Sequence, residues 1–173
     1  MIAPGLSGRL LAFVFAVAGV ACGNPVAPSE PVAVVFAPAK AVAFEGESGG
    51  GDGQIRERSR ASAGRTLHLG PGESRRWTFS MPAAPAAFGV SLIYANGQEG
   101  ENEMLTVMLD GVRISRFRNR DSGDAVEGWN TFITDPAGRS MITTGTHVLV
   151  LEVEGGDGCV EIDRIEIKPE PEP

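Results

Sequence analysis

The sequence predicts an all-β fold, an antiparallel β-sandwich, and three observations carry the prediction. From residue 42 onward no stretch sustains a helical period. Short apolar runs instead alternate at period two. Glycine-rich turns separate them, among them the pair Asp110-Gly111, whose two central positions tolerate positive φ and mark a hairpin. A doubly wound or barrel enzyme would need amphipathic helices between its strands, and none is legible here.

Each element follows from its own pattern. Two early segments, 32–36 and 42–44, have strand character. In ESRRWTFSM (73–81), Trp77, Phe79 and Met81 share one face, and Pro82 stops the strand. FGVSLIYA (88–95) gathers Phe88, Val90, Leu92 and Tyr94, and LTVML (105–109) gathers Leu105, Val107 and Leu109. Val112 and Ile114 continue beyond the hairpin pair. WNTFIT (129–134) and HVLVLEV (147–153) follow, the latter with Leu149, Leu151 and Val153 inward. In the final run, VEIDRIEI (160–167), Val160, Ile162, Ile165 and Ile167 belong to a core, yet Asp163 falls where the alternation slips by one residue. A β-bulge at Asp163 accounts for the slip. The total is roughly eight or nine strands, the count of a sandwich domain.

Ahead of this domain, residues 1–21 read as an export signal. Arg9 precedes the apolar run 10–18, and the small residues Gly19, Val20 and Ala21 lead to Cys22. Cys22 resembles the lipid-attachment cysteine of bacterial lipoproteins, although Gly19 stands where that motif usually has Leu; simple cleavage near Ala21 is the alternative. Either route predicts an exported chain: a periplasmic or cell-surface lipoprotein, otherwise a secreted protein. Contact with a membrane is expected only through the lipid. Residues 22–41 carry Pro25, Pro28, Pro31 and Pro38 and read as an extended tether, residues 42–168 as the sandwich, and 169–173 as a disordered tail. With Cys22 acylated or removed, Cys159 is expected to be an unpaired, buried small hydrophobe.

Charge and motifs narrow the function classes. A net charge of −7 opposes partners held through phosphates, so nucleic acid is not expected. Arg56, Arg58, Arg60 and Arg65 are interleaved with Glu57 and small residues and read as a solvated loop. The two histidines, His68 and His147, lie in strand-like contexts with no nucleophile motif, metal-protease spacing or phosphate loop nearby. No enzyme is predicted.

The ordered set FEGE (44–47), RASAGRTLHLG (60–70), WTFSMP (77–82), YANG (94–97), LTVMLDG (105–111), GW (128–129), GTHVLVLEV (145–153) and VEIDRIEI (160–167) resembles the carbohydrate-binding modules of families 6 and 35. The resemblance implies a jelly roll of the galactose-binding-like type that binds polysaccharide or oligosaccharide as a monomer and carries a structural Ca2+. On this resemblance the metal falls to Glu45, Glu47 and Asp163, with carbonyls near Gly64 and Arg65. Calcium takes six to eight oxygens, so carboxylates mixed with carbonyls suit it. Two glutamates two apart in a strand share a side. The other reading of the same residues pairs Asp163 with an arginine and leaves both glutamates solvated.

The resemblance places the sugar platform at Trp129, after Gly128, because these modules stack an aromatic ring on a pyranose face. Its alternative is a rim residue capping the core. His68 stands where relatives have an aromatic partner, and Glu161 where they have a ligand-binding Asn. Asp157 and Glu161 then suggest a sugar bearing amino groups. The expected function is non-catalytic carbohydrate binding; the alternative is a cell-envelope protein-interaction or adhesion module without sugar binding.

Overall fold

The computed structural model describes residues 34–35, 41–81, 86–97, 102–156 and 158–170. It is an antiparallel β-sandwich of two six-stranded sheets.

One sheet has the order β1 (Val34–Val35), β6 (Ser74–Met81), β11 (Gly145–Gly155), β8 (Met104–Leu109), β9 (Val112–Arg118), with β3 (Gly50–Gly51) also on β6. The other runs β10 (Ile133–Ile142), β7 (Ala86–Ala95), β12 (Val160–Pro169), β5 (Arg65–Leu69), β4 (Gln54–Glu57), with β2 (Val42–Glu45) on β12. Every pairing among the described residues is antiparallel except β1 on β6, which sets Val34 beside Phe79 and Val35 beside Ser80. The early strand expected at 32–36 is therefore present as a short edge strand.

The inward-facing sets read from the sequence form one core. Trp77, Phe79 and Met81 of β6, Phe88, Val90, Leu92 and Tyr94 of β7, and Leu149, Leu151 and Val153 of β11 are all buried. From β12, Val160, Ile162, Ile165 and Ile167 join them. The expected slip is real: Ile162 faces Tyr94 and Arg164 faces Ile93, so Ile162-Asp163-Arg164 is bulged against β7. The bulge keeps isoleucines inward on both sides of Asp163.

Three expectations need correction. The segment 129–134 is not one strand: a single turn of helix, α1 (Ala125–Gly128), ends at Trp129, and β10 begins only at Ile133. β10 is ten residues long and passes Pro136, which a bulge between Pro136 and Gly138 accommodates at the sheet edge. Glu47 lies not in a strand but in a 3-10 turn, Gly46–Ser48, that follows β2.

The third concerns Cys159, which is buried and disulfide-bonded rather than a free thiol. The chain has one other cysteine, Cys22, which lies outside the described residues, as do the signal segment and most of the tether. β12 extends through Pro169, and Glu170 N donates to Ala87 O, one residue past it. Among the described residues no helix is long and apolar enough to cross a membrane.

Candidate functional site

The bulge sets Asp163 close to Glu45, the two sharing contacts with Ser62. Glu45 ends β2 directly beside Arg164 in register, so the neighbouring Asp163 side chain reaches the same edge. Gly46 passes so close to β12 that a Cβ there would lie 2.3 Å from Ile162 O. Only glycine lets the chain turn at this point and carry Glu47 back toward the seam. The turn is pinned by Ser48 Oγ and Trp77 Nε1, which donate to Glu45 O at 2.7 and 3.1 Å, and by Arg75 Nη2, which donates to Glu47 O at 2.9 Å.

Ser62, from the loop between β4 and β5, sits between two of these acids. Its amide donates to Asp163 Oδ1 at 2.7 Å, and its hydroxyl lies 2.8 Å from the same oxygen and 2.6 Å from Glu45 Oε2. A hydroxyl carries one proton, so it can donate to only one of these carboxylates. The other contact sets lone pair against lone pair unless a proton or a cation intervenes.

Glu47 adds a second demand for positive charge. Its side chain is only 10% exposed, Oε1 has Arg65 Nη2 at 3.4 Å, and Oε2 is buried with no partner. Burial pushes the Glu47 carboxyl above its usual range, and the negative charges of Glu45 and Asp163 push the same way, against Arg65. Asp163 does have an arginine: Arg164 Nη1 lies 2.6 Å from Oδ2, while Nε of the same side chain donates to Glu166. Pairing and clustering thus coexist, and the glutamates are not both solvated. Among the described residues no three His, Cys, Asp or Glu side chains close into a ready metal cage, so any ion here would draw on hydroxyl or carbonyl oxygens as well. Gly64 O already accepts from Arg58 N at 2.9 Å.

The second constellation lies alongside. Across the β5–β12 ladder Glu161 faces His68. The His68 ring centroid stands 5.9 Å from that of Trp129, the planes tilted by 56°. Trp129 is half-buried and is delivered by Gly128, where a Cβ would lie 2.1 Å from Gly123 O and 2.5 Å from Gly97 Cα. The Gly-Trp pair therefore has a mechanical reading: the helix end packs backbone to backbone at Gly128, and the next side chain, Trp129, packs against His68. A cavity of about 250 Å³ is lined by Ser59, Arg60, Val126, Glu127 and Asn130, the last the chain neighbour of Trp129. Asn130 Oδ1 is buried there without a partner.

Glu161 does not face this cavity. It is fully buried, Arg58 grips it through Nε at 2.6 Å and Nη2 at 2.5 Å, and Thr66 Oγ1 donates at 2.8 Å. Burial acts to raise the Glu161 carboxyl, but the nearby His68 ring, Arg58 and Thr66 outweigh it and hold the group below the usual carboxylate range. His68 Nδ1, 3.4 Å from Glu161 Oε1, lacks full hydrogen-bond geometry, so Arg58 and Thr66 carry most of that effect. Glu161, expected to recognise amino groups on a sugar, is buried here with its carboxylate held by Arg58 and Thr66. Arg58, read from the sequence as solvated, is its partner; nothing in a single sequence pairs residues 103 positions apart.

Asp157 lies outside the described residues. His68, Trp129 and Glu161 are adjacent in the structure. Tyr94 and Asn96 are structural. The Tyr94 hydroxyl donates to Asp135 Oδ2 and accepts from Arg120 N, and Asn96 Nδ2 donates to buried Glu103.

No protein-family model matches the chain, and no curated protein matches it by sequence. Solved structures do share its fold. A family 35 carbohydrate-binding module from Clostridium thermocellum superposes with a TM-score of 0.59 at 15% identity, over 75% of this chain and 98% of its own. One from an environmental isolate gives 0.60 at 20% identity, over 76% and 99%. An exo-β-1,3-galactanase from Phanerochaete chrysosporium gives 0.60 at 22% identity over 75% of this chain, which spans only 29% of that enzyme. The fold is thus shared with family 35 carbohydrate-binding modules. Solved chains that contain it include family 35 modules by themselves and parts of larger carbohydrate-active enzymes.

Proposed function

We propose that this domain binds polysaccharide or oligosaccharide without transforming it, at the cleft beside Trp129. The observation that supports this most is the company Trp129 keeps: a half-buried indole against His68, whose chain neighbour Asn130 lines a cavity together with Arg60 and Glu127. An aromatic face beside planar polar side chains suits a pyranose, whose C–H face stacks while its hydroxyls pair with amide, carboxylate and guanidinium groups. Glu161 contributes by holding Arg58, the residue before the lining Ser59 and Arg60.

Glu45, Glu47 and Asp163 are proposed to hold the structural Ca2+. The support is the shared hydroxyl of Ser62 and the unpartnered oxygen of Glu47, both of which a hard cation would resolve. Export is proposed from the leader sequence, and a disulfide-bonded Cys159 accords with an oxidising compartment. Lipidation of Cys22 and a disulfide through it are mutually exclusive, so an oxidised Cys159 within the chain favours cleavage near Ala21 over acylation.

A glycan array of the exported chain, run with calcium and with chelator, tests the proposal. Binding to a defined glycan class that disappears in Trp129→Ala is the expected result. Unchanged binding in Trp129→Ala would move the site elsewhere. No glycan bound under either condition would favour the protein-interaction alternative, and release of reducing sugar would overturn the non-catalytic assignment.

A further inference from the structure

Four polar side chains line the cavity, and the fold uses none of them. Ser59 and Arg60 come from the loop between β4 and β5, Glu127 and Asn130 from α1 and the residues after it. Side chains nearby in the chain are engaged: Arg58 with Glu161, Ser62 with Asp163 and Glu45, Arg65 with Glu47, Ser122 with Gly128 O. Among the described residues, by contrast, the Ser59 hydroxyl, the Arg60 guanidinium, the Glu127 carboxylate and the Asn130 amide have no hydrogen-bond or ion-pair partner, and Asn130 Oδ1 is buried in that state. Arg60 and Glu127 share the cavity without pairing with each other. Both segments are fixed by their own backbone. In the loop, Arg58 N donates to Gly64 O at 2.9 Å, Ala61 N to Arg58 O at 3.1 Å and Gly64 N to Ala61 O at 3.0 Å. In the helical segment, Gly128 N donates to Asp124 O at 3.1 Å, Asn130 N to Glu127 O at 3.0 Å and Thr131 Oγ1 to Glu127 O at 2.9 Å. Unspent polar groups on prearranged backbone lower the ordering cost of taking a ligand.

We infer that the cavity takes a single saccharide unit bearing both an ammonium and a carboxylate, the carboxylate toward Arg60 and the ammonium toward Glu127. The inference rests on the saccharide reading above and names the class of sugar. Charge decides between classes. An anionic sugar gains at Arg60 and is repelled by Glu127, a cationic sugar gains at Glu127 and is repelled by Arg60, and a neutral one meets neither charge with its own. A zwitterion gains at both, through charge-assisted hydrogen bonds roughly twice as strong as neutral ones. The net charge of −7 adds a long-range bias against ligands of net negative charge. The guanidinium of Arg60 matches a carboxylate through two parallel bonds, and Ser59 and Asn130 remain for ring hydroxyls. Val126, 79% exposed, offers apolar contact to the C–H face of the ring. A volume of about 250 Å³ lies below the range of drug-sized pockets, about 300–1,000 Å³, and suits one unit.

Amide-shift titrations of the exported chain at about pH 6, with amines charged and carboxylates ionised, test this with four probes. Muramic acid bears both a free amine and a carboxylate, N-acetylmuramic acid only the carboxylate, glucosamine only the amine, and glucose neither. Muramic acid is expected to bind at least ~5-fold more tightly than each of the others, with shifts at Ser59, Arg60, Glu127 and Asn130. Glu127→Gln is expected to abolish its advantage over N-acetylmuramic acid, and Arg60→Gln its advantage over glucosamine. Both side chains are exposed, so both variants are expected to melt like the parent. Equal affinity for the four sugars, or an advantage that survives its substitution, would overturn the inference. Neutral glycans bound on the array without any binding of muramic acid would overturn it too, and leave the saccharide reading standing. β-Alanine, a zwitterion without a ring, is the control: binding as tight as that of muramic acid would sink the saccharide reading together with the sugar class, and so would an absence of binding to every carbohydrate.

Discussion

Arg58 and Glu161 form a two-point ion pair across 103 residues of chain, Nε to Oε2 at 2.6 Å and Nη2 to Oε1 at 2.5 Å, with the carboxylate fully buried and the guanidinium about three-quarters so. Such a pair is defined less by what it adds than by what its loss leaves behind. Removing the arginine strands a charge in the sheet interior, which typically costs about 3–5 kcal/mol. Arg58→Ala is therefore expected to lower the urea midpoint substantially, and Arg58→Lys to recover only part of it, because an ammonium cannot make the planar two-point contact. Near-native stability of Arg58→Ala would show that the pair is mechanically dispensable.

The two tryptophans should behave oppositely. Trp77 is in the core, its ring buried and its Nε1 tied to Glu45 O, so Trp77→Ala is expected to destabilise by about 3–5 kcal/mol. Trp129 is half-buried, so Trp129→Ala is expected to keep most of the stability while losing retention on an insoluble polysaccharide column. Thermal melts and affinity electrophoresis of both variants separate the two roles.

Calcium should appear as stability. A ligand that binds only the folded state at about a hundred times its dissociation constant adds about 2.7 kcal/mol, which for a domain of this size raises Tm by several degrees. The shift should vanish with chelator. Glu47→Gln should keep a folded protein and greatly weaken the shift, since it removes a charged ligand from the cluster. A calcium-dependent melt unaltered by Glu47→Gln would place the ion elsewhere.

Acid should weaken the fold at two carboxylates. At Glu161 and Asp135 burial opposes ionisation, but hydrogen-bonded arginines and hydroxyls win, and both groups lie below their ordinary range. Their folded values are depressed, so their stabilisation is complete above the unfolded values of about 4 and is lost as pH falls through the folded values. Urea midpoints taken from neutral pH down to about pH 3 are expected to fall, and Asp135→Asn, which keeps the Tyr94 contact in part, to flatten the lower portion of that curve.

The cysteines give a mass test. If Cys159 is oxidised within the mature chain, the exported protein begins near Cys22 and gains two hydrogens on reduction. If Cys22 is acylated instead, the mass carries the lipid and reduction changes nothing. The two outcomes exclude one another.

Much of the sandwich is legible because its inward sets alternate strictly. The runs containing Trp77, Tyr94 and Leu151 each declare a face on their own, and Leu105, Val107 and Leu109 do the same for β8. The slip at Asp163 is equally readable, because it is a local break in a local pattern. What stays hidden depends on long-range pairing or on a change of element. The 3-10 turn at Glu47 follows from a close approach between Gly46 and Ile162 that no period encodes. The helical turn before Trp129 is too short to show periodicity. Arg58 reads as solvated because its partner lies on the last strand, and Ser62 carries no signal beyond being a serine in a loop.

Asp163 is also a residue that the ladder could lose. Excising it would leave Val-Glu-Ile-Arg-Ile-Glu-Ile, an unbroken in-and-out sequence, and would bring Ile162 and Arg164 into consecutive register against Tyr94 and Ile93. A one-codon deletion in the centre of a sheet, ordinarily ruinous, should here yield a soluble, well-packed domain whose only casualty is the acidic seam.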